Sequence, residues 1–506
     1  MYFVVIMAFA LVLSSDLPTR GLDVFSGRSP AERTVGLATM TLALGQVLVV
    51  AGAALFFRRR TLLRMDATDA DHDDIVRRYS RTQTWLIGII SMALVATMVC
   101  TPWARLVREV WDLDRFPLVG DLMLLLPFFA SLTLVWIVQY PVEVRLKKTA
   151  LAGPGEDSNE LEPFASHPDN SLGSYLFDKY RHQILVIAAP MIVIVFAKHF
   201  TDKYRLDLLK STGLPWMGDA ILGVISVLVL VAAPVMLRYV WATEPLAPGP
   251  LRDRFERICA RIGLRYREIL LWKTHGLTVN AAVMGFIPQI RYVLVSDALV
   301  ESMSDEEIEA VFGHEAGHIK HWHLPFFGAF AAVSMYVSGG LVMLIESSGG
   351  VRDPGMLQMI GLGALLAIWL FGFGWLSRRF ERQADLFGVR CVTPDVKECR
   401  TWCPVHGEPR SEGVCVSAAN LFGRTLLKIA ALNGIPRRAP SWRHGSIESR
   451  CRLLERLSSS PNECAKFDRK LLNIKKGLAL LTLIGTIGGV AVYYDSVARA
   501  LGWSTG

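Results

Sequence analysis

The sequence predicts a polytopic α-helical membrane protein that carries one polar, site-bearing domain. The 506-residue chain is 52% hydrophobic and only 20% charged, with a mean hydropathy of +0.35. Soluble domains rarely reach this balance. Runs of about 20 apolar residues, long enough to cross the hydrocarbon core as helices, recur along the chain. The stretch VFGHEAGHIKHWH, with four histidines and a glutamate, directly precedes one of these runs.

Eight apolar runs are predicted to span the membrane, a number that buried core helices of a soluble protein would not need. Residues 2–14 form a shorter ninth candidate, which fits a first anchor better than a cleaved signal peptide. The predicted spans are 35–57, 84–104, 117–139, 183–198, 219–240, 324–345, 356–376 and 476–495.

The basic residues outside these spans predict the topology. Lys and Arg fall 41 to 12 on alternate faces, and the basic face is expected to be cytoplasmic. This face carries both long polar loops, so we expect the functional site there. The net charge of +8 reflects this asymmetry, and no motif for binding nucleic acid is present.

The spans divide the chain into five predicted segments. Residues 1–240 hold the N-terminal transmembrane helices, 324–376 form a transmembrane hairpin, and 476–506 form the last transmembrane helix and tail. Residues 241–323 form a polar segment, and 377–475 form the second long loop. In the polar segment, REILLWKT (267–274) and RYVLVSDALV (291–300) look like strands. Ser304 then fits the N-cap of a helix whose first turn is acidic.

The motif HEAGH on this helix predicts a zinc site. His314 and His318 are four residues apart, so one helical face presents both imidazoles to a single point. Glu315 can reach a water at that point and act as a general base. His321 and His323 follow the motif where the helix meets the next span, and we assign them to ordinary structural histidines.

A catalytic zinc needs a third protein ligand on the same membrane face. The chain re-emerges from the hairpin as SRRFERQADLFG, where Glu381 lies one helical turn before Asp385. Glu381 is predicted to complete a two-His, one-Glu site. Asp385 is predicted to accept a hydrogen bond from a ligand imidazole and fix its tautomer.

These motifs together resemble the integral-membrane gluzincins, which include the type I CAAX prenyl endopeptidases and the HtpX-like quality-control proteases. HEAGH, two spans and SRRFERQAD carry the resemblance, which covers about residues 250 to 457. It implies a cytoplasm-facing zinc-peptidase domain that contains a small β-sheet. The number of N-terminal helices is nearer to the prenyl-protease branch.

Two further stretches fit the same resemblance. NAAVMG (280–285) resembles the family's substrate-edge strand, which implies peptide-binding roles for Asn280, Ala281 and Gly285. HGSIESRCRLLERL (444–457) resembles its C-terminal motif near the active site. It implies that His444 stabilises the oxyanion and that Arg450 pairs with an active-site carboxylate or holds substrate. Gly445 departs from the pattern, in which proline is usual.

Four cysteines and a histidine cluster just after Glu381 and look like an insertion. Three interpretations stay open: a second, structural zinc site, disulfides if the topology is inverted, or unpaired thiols. The residues are Cys391, Cys399, Cys403, His406 and Cys415.

The sequence therefore predicts a membrane-embedded zinc metalloendopeptidase. Its expected partners are membrane lipids and membrane-associated or lipid-modified polypeptides, either prenylated CAAX-like chains or misfolded proteins. An intramembrane protease of the site-2 type is disfavoured because HEAGH lies outside an apolar span. The non-enzymatic alternatives are a catalytically silent zinc-binding scaffold, which the presence of Glu315 disfavours, and a transporter. Transporters place ionisable residues deep in their spans, and these spans are nearly free of them.

Overall fold

The structure, a computed structural model, describes residues 32–67, 72–151, 171–214, 216–274, 279–393, 413–433 and 435–492. The chain divides into two units, residues 1–241 and residues 242–506. The first unit is helical throughout its described part. The second unit holds a small sheet, the HEAGH helix and three long apolar helices.

The first unit is built from long apolar helices with short connecting helices. Its buried core includes Val50, Leu86, Leu125 and Leu132. A π-helical turn, Tyr180–Leu185, joins α5 to α6, and another, Leu106–Val110, follows α3. The helices are α1 (Glu32–Met65), α2 (His72–Cys100), α3 (Trp103–Arg105), α4 (Val119–Leu151), α5 (Leu172–Lys179), α6 (Val186–Lys203), α7 (Arg205–Thr212) and α8 (Met217–Val240).

Seven helices in the described residues are long and apolar enough to cross a membrane, and a bent pair brings the number to eight. The bent pair, Arg78–Met98 with Trp103–Val110, turns by 65°. Each of the eight predicted spans overlaps one of these helices, so a mostly helical protein with candidate membrane-spanning helices is confirmed. Residues 2–14 lie outside the described part of the chain.

The second unit contains four strands and nine α-helices among its described residues. The strands are β1 (Thr243–Pro245), β2 (Glu268–Trp272), β3 (Ala281–Met284) and β4 (Tyr292–Ser296). The helices are α9 (Pro250–Ile262), α10 (Asp297–Ser302), α11 (Asp305–Lys320), α12 (His323–Ser347), α13 (Pro354–Ala367), α14 (Gly374–Val392), α15 (Val416–Leu432), α16 (Ile447–Ser459) and α17 (Pro461–Val492).

The four strands form one mixed sheet in the order β1-β2-β4-β3. β2 runs parallel to β4, which is fully buried, and β3 pairs antiparallel with the other side of β4. β3 is therefore an edge strand of this sheet. An edge strand presents backbone groups that another extended chain can pair with.

One strand prediction is wrong in its second half. The stretch RYVLVSDALV was expected to be extended throughout, but β4 ends at Ser296 and α10 begins at Asp297. The Ser296 hydroxyl accepts a hydrogen bond from the backbone N–H of Leu299 and so caps α10. This local cap outweighs the strand propensity of the residues that follow.

The HEAGH helix, α11, begins as predicted at a capping residue. The Ser304 hydroxyl accepts from the Glu307 backbone N–H, and the Glu307 carboxylate accepts from the Ser304 backbone N–H. This reciprocal pair is a capping box, which satisfies two donors at the helix start. The start of α11, on the N-terminal side of the HEAGH motif, is therefore fixed by this capping box.

α11 packs along α14, and small residues allow the two backbones to approach closely. A Cβ added to Gly317 would lie 3.1 Å from the Cα atom of Ala384. A Cβ added to Gly388 would lie 2.5 Å from Phe422 and 3.1 Å from the backbone nitrogen of His314. The close crossing brings the HEAGH motif of α11 beside the Glu381 turn of α14.

A hairpin of apolar helices connects α11 with α14. Trp322, with φ of 58°, separates α11 from α12, and α13 continues through a π-helical segment, Ile368–Phe373, into α14. The apolar helix thus extends past the predicted span end and carries Glu381 and Asp385 on its last turns. This hairpin returns the chain to the vicinity of its starting point.

Candidate metal centre

Three side chains from α11 and α14 converge on one point. One ligand atom from each of His314, His318 and Glu381 lies within 4.8 Å of the others. The two imidazole Nε2 atoms are 3.4 Å apart. Glu381 Oε2 is 3.6 Å from His314 Nε2, and Glu381 Oε1 is 3.7 Å from His318 Nε2.

These distances fit a tetrahedral zinc ion. Two imidazole nitrogens at about 2.0–2.1 Å from one such ion would lie about 3.3 Å apart. Glu381 is only 4% exposed, and its Oε2 lies 2.9 Å from Nδ1 of His444 without being aligned with it as a hydrogen bond. A buried carboxylate oxygen without a well-aligned donor is costly unless a cation neutralises it. The donor set and this oxygen therefore both suit a bound Zn2+.

His314 is held from behind by Asp385. The His314 Nδ1 atom is 2.9 Å from Asp385 Oδ1, although the two are not aligned as an ideal hydrogen bond. Burial would lower the pKa of His314, but its contact with Asp385 and the nearby Glu381 outweigh burial and raise it. A carboxylate behind a ligand imidazole orients the ring and increases its basicity.

His318 is in a different electrostatic environment. Burial, followed by repulsion from His314, lowers the pKa of His318 to about 3. Its imidazole is therefore neutral at physiological pH, the form that binds a metal ion. Its Nδ1 lies 2.9 Å from Nδ1 of His323, which is 1% exposed.

Glu315 lies beside the same point on α11. Burial raises the pKa of Glu315 to about 7, with His314 opposing and Glu381 adding to the effect. A carboxyl group tuned close to neutral pH suits a general base, since it can both accept and release a proton.

His444 and Arg450, from the predicted C-terminal motif, both reach the site. His444 Nδ1 is 2.9 Å from Glu381 Oε2, and the His444 side chain is 47% exposed. Arg450 forms a two-point contact with Asp385, and both residues are buried. The sequence departure at Gly445 has a geometric reason, because its φ is +75° and proline is restricted to a φ near −65°.

The predicted substrate-edge residues form β3 and the turns at its ends. Asn280 is exposed, and its backbone N–H and C=O are both bound by Ser296. Ala281 is buried at the start of β3. Gly285 has φ of +112°, and a Cβ there would lie 2.5 Å from the carbonyl oxygen of Ile290. Only glycine fits this close turn without strain. β3 also packs against α11, which carries the HEAGH motif.

The cysteine cluster is only partly described. Cys391 and Cys415 are buried, and neither forms a disulfide among the described residues. Cys399, Cys403 and His406 lie outside the described residues. A second zinc site therefore stays a prediction.

The structure also adds residues that the sequence did not predict. His323, assigned above to ordinary structural histidines, contacts His318, and its Nε2 is 3.0 Å from Gln383 Oε1. Lys475, on α17, donates to the same Gln383 oxygen at 2.9 Å. Among these residues, only Gln383 could have been suspected from the sequence, because it lies between Glu381 and Asp385 in the stretch SRRFERQAD.

The comparisons with known proteins agree with this geometry. Residues 245–457 match the family model described as Peptidase family M48. "CAAX prenyl protease 1 homolog" of Arabidopsis thaliana is 26% identical over 34% of this chain and 44% of that protein. "Protease HtpX homolog" of Archaeoglobus fulgidus is 33% identical over 25% of this chain and 38% of that protein. The predicted resemblance to the membrane gluzincins is thereby confirmed.

The similarity covers only part of each protein. The chain spans less than half the length of these curated relatives. A solved structure, "Crystal Structure of S. mikatae Ste24p", superposes with a TM-score of 0.47 at 16% identity, over 83% of this chain and 98% of that one.

Proposed function

We propose that this chain, whose residues 245–457 match peptidase family M48, is a membrane-embedded zinc metalloendopeptidase. The observation that carries the proposal is the convergence of His314, His318 and Glu381, with ligand atoms 3.4–3.7 Å apart. Two imidazoles and one carboxylate leave a coordination position open, which distinguishes a catalytic zinc site from a closed structural site.

The three groups would hold one Zn2+. When bound, zinc supplies a Lewis acid for the scissile carbonyl and lowers the pKa of the attacking water. Glu315 would take the proton from that water and deliver it to the leaving amine. Asp385 would hold the His314 ring in place through Nδ1, and His444 would orient Glu381 and stand near the developing oxyanion.

The substrate would bind as an extended segment along the free edge of β3. Backbone pairing to an edge strand recognises a peptide with little dependence on its sequence. Asn280, Ala281 and Gly285 would line this edge, and the rigid turn at Gly285 would keep it in register. Such an edge, beside α11, would present a peptide bond to Glu315.

The substrate class follows from the relatives and the membrane setting. The names of the relatives include CAAX prenyl proteases and HtpX proteases, so we expect either prenylated C-terminal segments or misfolded membrane polypeptides. The excess of Lys and Arg on one predicted face supports a site on the cytoplasmic side. Accessibility of engineered single cysteines in the loops of unit two to impermeant reagents would test this orientation.

A catalytically silent scaffold would share the zinc ligands. The presence of Glu315 beside the two histidines distinguishes the two functions, because a scaffold has no use for a general base next to its metal ion. A transporter would need ionisable groups inside its spans. We therefore expect the full chain to hydrolyse peptide bonds.

The test compares purified wild-type chain with Glu315→Gln on a farnesylated CAAX peptide, its unmodified counterpart and a membrane-protein segment. We expect zinc in both proteins and a loss of activity of about 10²–10⁴-fold in Glu315→Gln. Glu306→Gln, which changes an exposed glutamate of the same helix, is the matched control and should stay active. Zinc without cleavage by the wild type on any substrate would favour the scaffold, and absence of zinc would contradict the proposal.

A further inference from the structure

The second nitrogen of His318 has an unusual partner. His318 directs Nε2 toward Glu381 and His314, so Nδ1 is the nitrogen left over. This Nδ1 lies 2.9 Å from Nδ1 of His323. Both atoms belong to imidazoles, so one of them must donate and the other must accept.

The partner of His323 on its other side decides which nitrogen donates. His323 Nε2 is 3.0 Å from Gln383 Oε1, an amide oxygen that can only accept. His323 must therefore carry its proton on Nε2. A neutral imidazole has one N–H, so His323 Nδ1 is bare and accepts from His318. It follows that His318 carries its proton on Nδ1 and presents a bare Nε2 toward the metal point.

Lys475 fixes the orientation of the Gln383 amide. The Lys475 ammonium donates to Gln383 Oε1 at 2.9 Å and to the backbone oxygen of His321 at 2.7 Å. An ammonium has no acceptor, so turning the amide by 180° would place its NH2 group against another donor. The ammonium beside this shared oxygen also disfavours a charged His323.

The chain of contacts is shielded from water. Gln383 is 7% exposed and Lys475 is 9% exposed. The His323 ring is stacked on Phe380, with ring centroids 4.3 Å apart and an interplanar angle of 4°. Buried polar groups that contact one another in series can fix each other's orientation, because little water competes for their hydrogen bonds.

We propose that Lys475, Gln383 and His323 form a positioning relay that holds His318 with its proton on Nδ1 and its Nε2 lone pair toward Zn2+. The relay rests on the proposed zinc site. His314 is held by a carboxylate, Asp385, whereas His318 is held by a neutral histidine that is itself oriented by an amide and an ammonium. The last long helix, α17, thereby contributes to metal binding through Lys475.

The experiment measures zinc affinity on the full chain. Competition with a chelator is followed for wild type, His323→Leu, His323→Asn, Lys475→Met and the control Lys476→Met, which changes an exposed lysine of the same helix. His323→Leu removes the acceptor, whereas the Asn side-chain oxygen lies near the position of Nδ1 and restores it. The visible absorption of Co2+-substituted protein reports the ligand geometry independently of activity.

We expect His323→Leu and Lys475→Met to weaken zinc binding about 10–100-fold, the range for groups behind a metal ligand. His323→Asn should recover much of this loss, and Lys476→Met should keep wild-type affinity. Thermal unfolding of each protein without metal identifies any variant that has lost its fold. If His323→Leu does not fold, the comparison of Lys475→Met with wild type decides the matter.

The relay is overturned if folded His323→Leu or Lys475→Met binds zinc as tightly as wild type, with an unchanged cobalt spectrum. It is also overturned if His323→Asn is as weak as His323→Leu, because the effect would then come from packing. These outcomes are distinct from failure of the proposed function, in which the wild-type chain itself binds no zinc.

Discussion

Arg450 lies against Asp385 in a two-point contact, with its Nε 2.8 Å from Oδ2 and its Nη2 on Oδ1. Asp385 is fully buried and Arg450 nearly so. The same Oδ1 of Asp385 faces Nδ1 of His314. The guanidinium thus neutralises the carboxylate that orients His314, a proposed metal ligand. A change in this ion pair should therefore affect both the stability of the fold and the affinity for zinc.

Asp385→Asn should affect both metal binding and stability. Without the carboxylate, His314 loses its charged partner, and zinc affinity should fall about 10–100-fold. Arg450 would lose its two-point charged partner and keep only the Glu381 Oε2 atom at 3.9 Å. Removing one partner of a buried ion pair costs about 3–5 kcal/mol of unfolding free energy. Chelator competition and unfolding of the metal-free protein measure the two effects separately.

Arg452→Met is the matched control for this pair. Arg452 is on the same helix, but it is exposed and pairs with Glu448, so its loss should change stability by no more than about 1 kcal/mol. Equal effects of Asp385→Asn and Arg452→Met would contradict the coupling.

Glu315 should make the stability of the zinc-free protein depend on pH. Its pKa is raised by burial to about 7, so the folded state binds its proton more tightly than the unfolded state. The stabilisation is fully present below the unfolded pKa of about 4.5 and is lost as pH rises to about 7. Wild type should therefore lose stability relative to Glu315→Gln across this window, as measured by unfolding in the presence of a chelator. Parallel curves would show that the carboxyl is not perturbed.

Gly388→Ala should weaken the contact between α11 and α14. The new Cβ would lie 2.5 Å from Phe422 and 3.1 Å from the His314 nitrogen, and overpacking of this kind costs about 1–3 kcal/mol. The shift of α14 should also move Glu381 and reduce zinc affinity.

Gly423→Ala provides the comparison. Its Cβ would make an ordinary contact of 3.8 Å with Cys451, and alanine is the better helix former by about 1 kcal/mol. This variant should be neutral or more stable, and loss of zinc binding in it would argue against a specific role for the α11–α14 crossing.

Arg291→Met should loosen the substrate edge. The buried Arg291 side chain donates to the backbone oxygens of Gly285, Phe286 and Arg265, and so fixes the turn after β3. Without these bonds the edge would be less ordered before substrate binds, and KM should rise more than kcat falls. Steady-state kinetics on the preferred peptide checks this. Arg267→Met, which changes an exposed arginine of the same region, should leave KM unchanged.

The sequence predictions that agree with the structure rest on patterns between residues close together in the chain. The four-residue spacing of His314 and His318 and the cap at Ser304 are properties of one helix, and apolar runs identify spans by length alone. Glu381 could be predicted as the third ligand because a hairpin of two membrane helices returns the chain to the membrane face from which it started. In each case the physical constraint is local or topological.

The relay was not predictable because it joins residues that are far apart in the sequence. His323 and Lys475 meet only through packing of α12, α14 and α17, and a lone lysine near the start of an apolar helix has many ordinary explanations. The conformation at Gly445 was likewise hidden, since a positive φ is a property of the folded loop. Local capping at Ser296 overrode strand propensity in the residues after β4.

The hairpin between α11 and α14 sets the order in which the site is completed during biosynthesis. A nascent chain that ends before Glu381 contains both imidazoles and Glu315, yet it lacks the third metal ligand and Asp385. Hydrolytic chemistry would therefore begin only after two further helices have entered the bilayer and the chain has returned to its starting face. Until both helices are inserted, the proposed metal centre would lack Glu381 and the unfinished chain would be inactive.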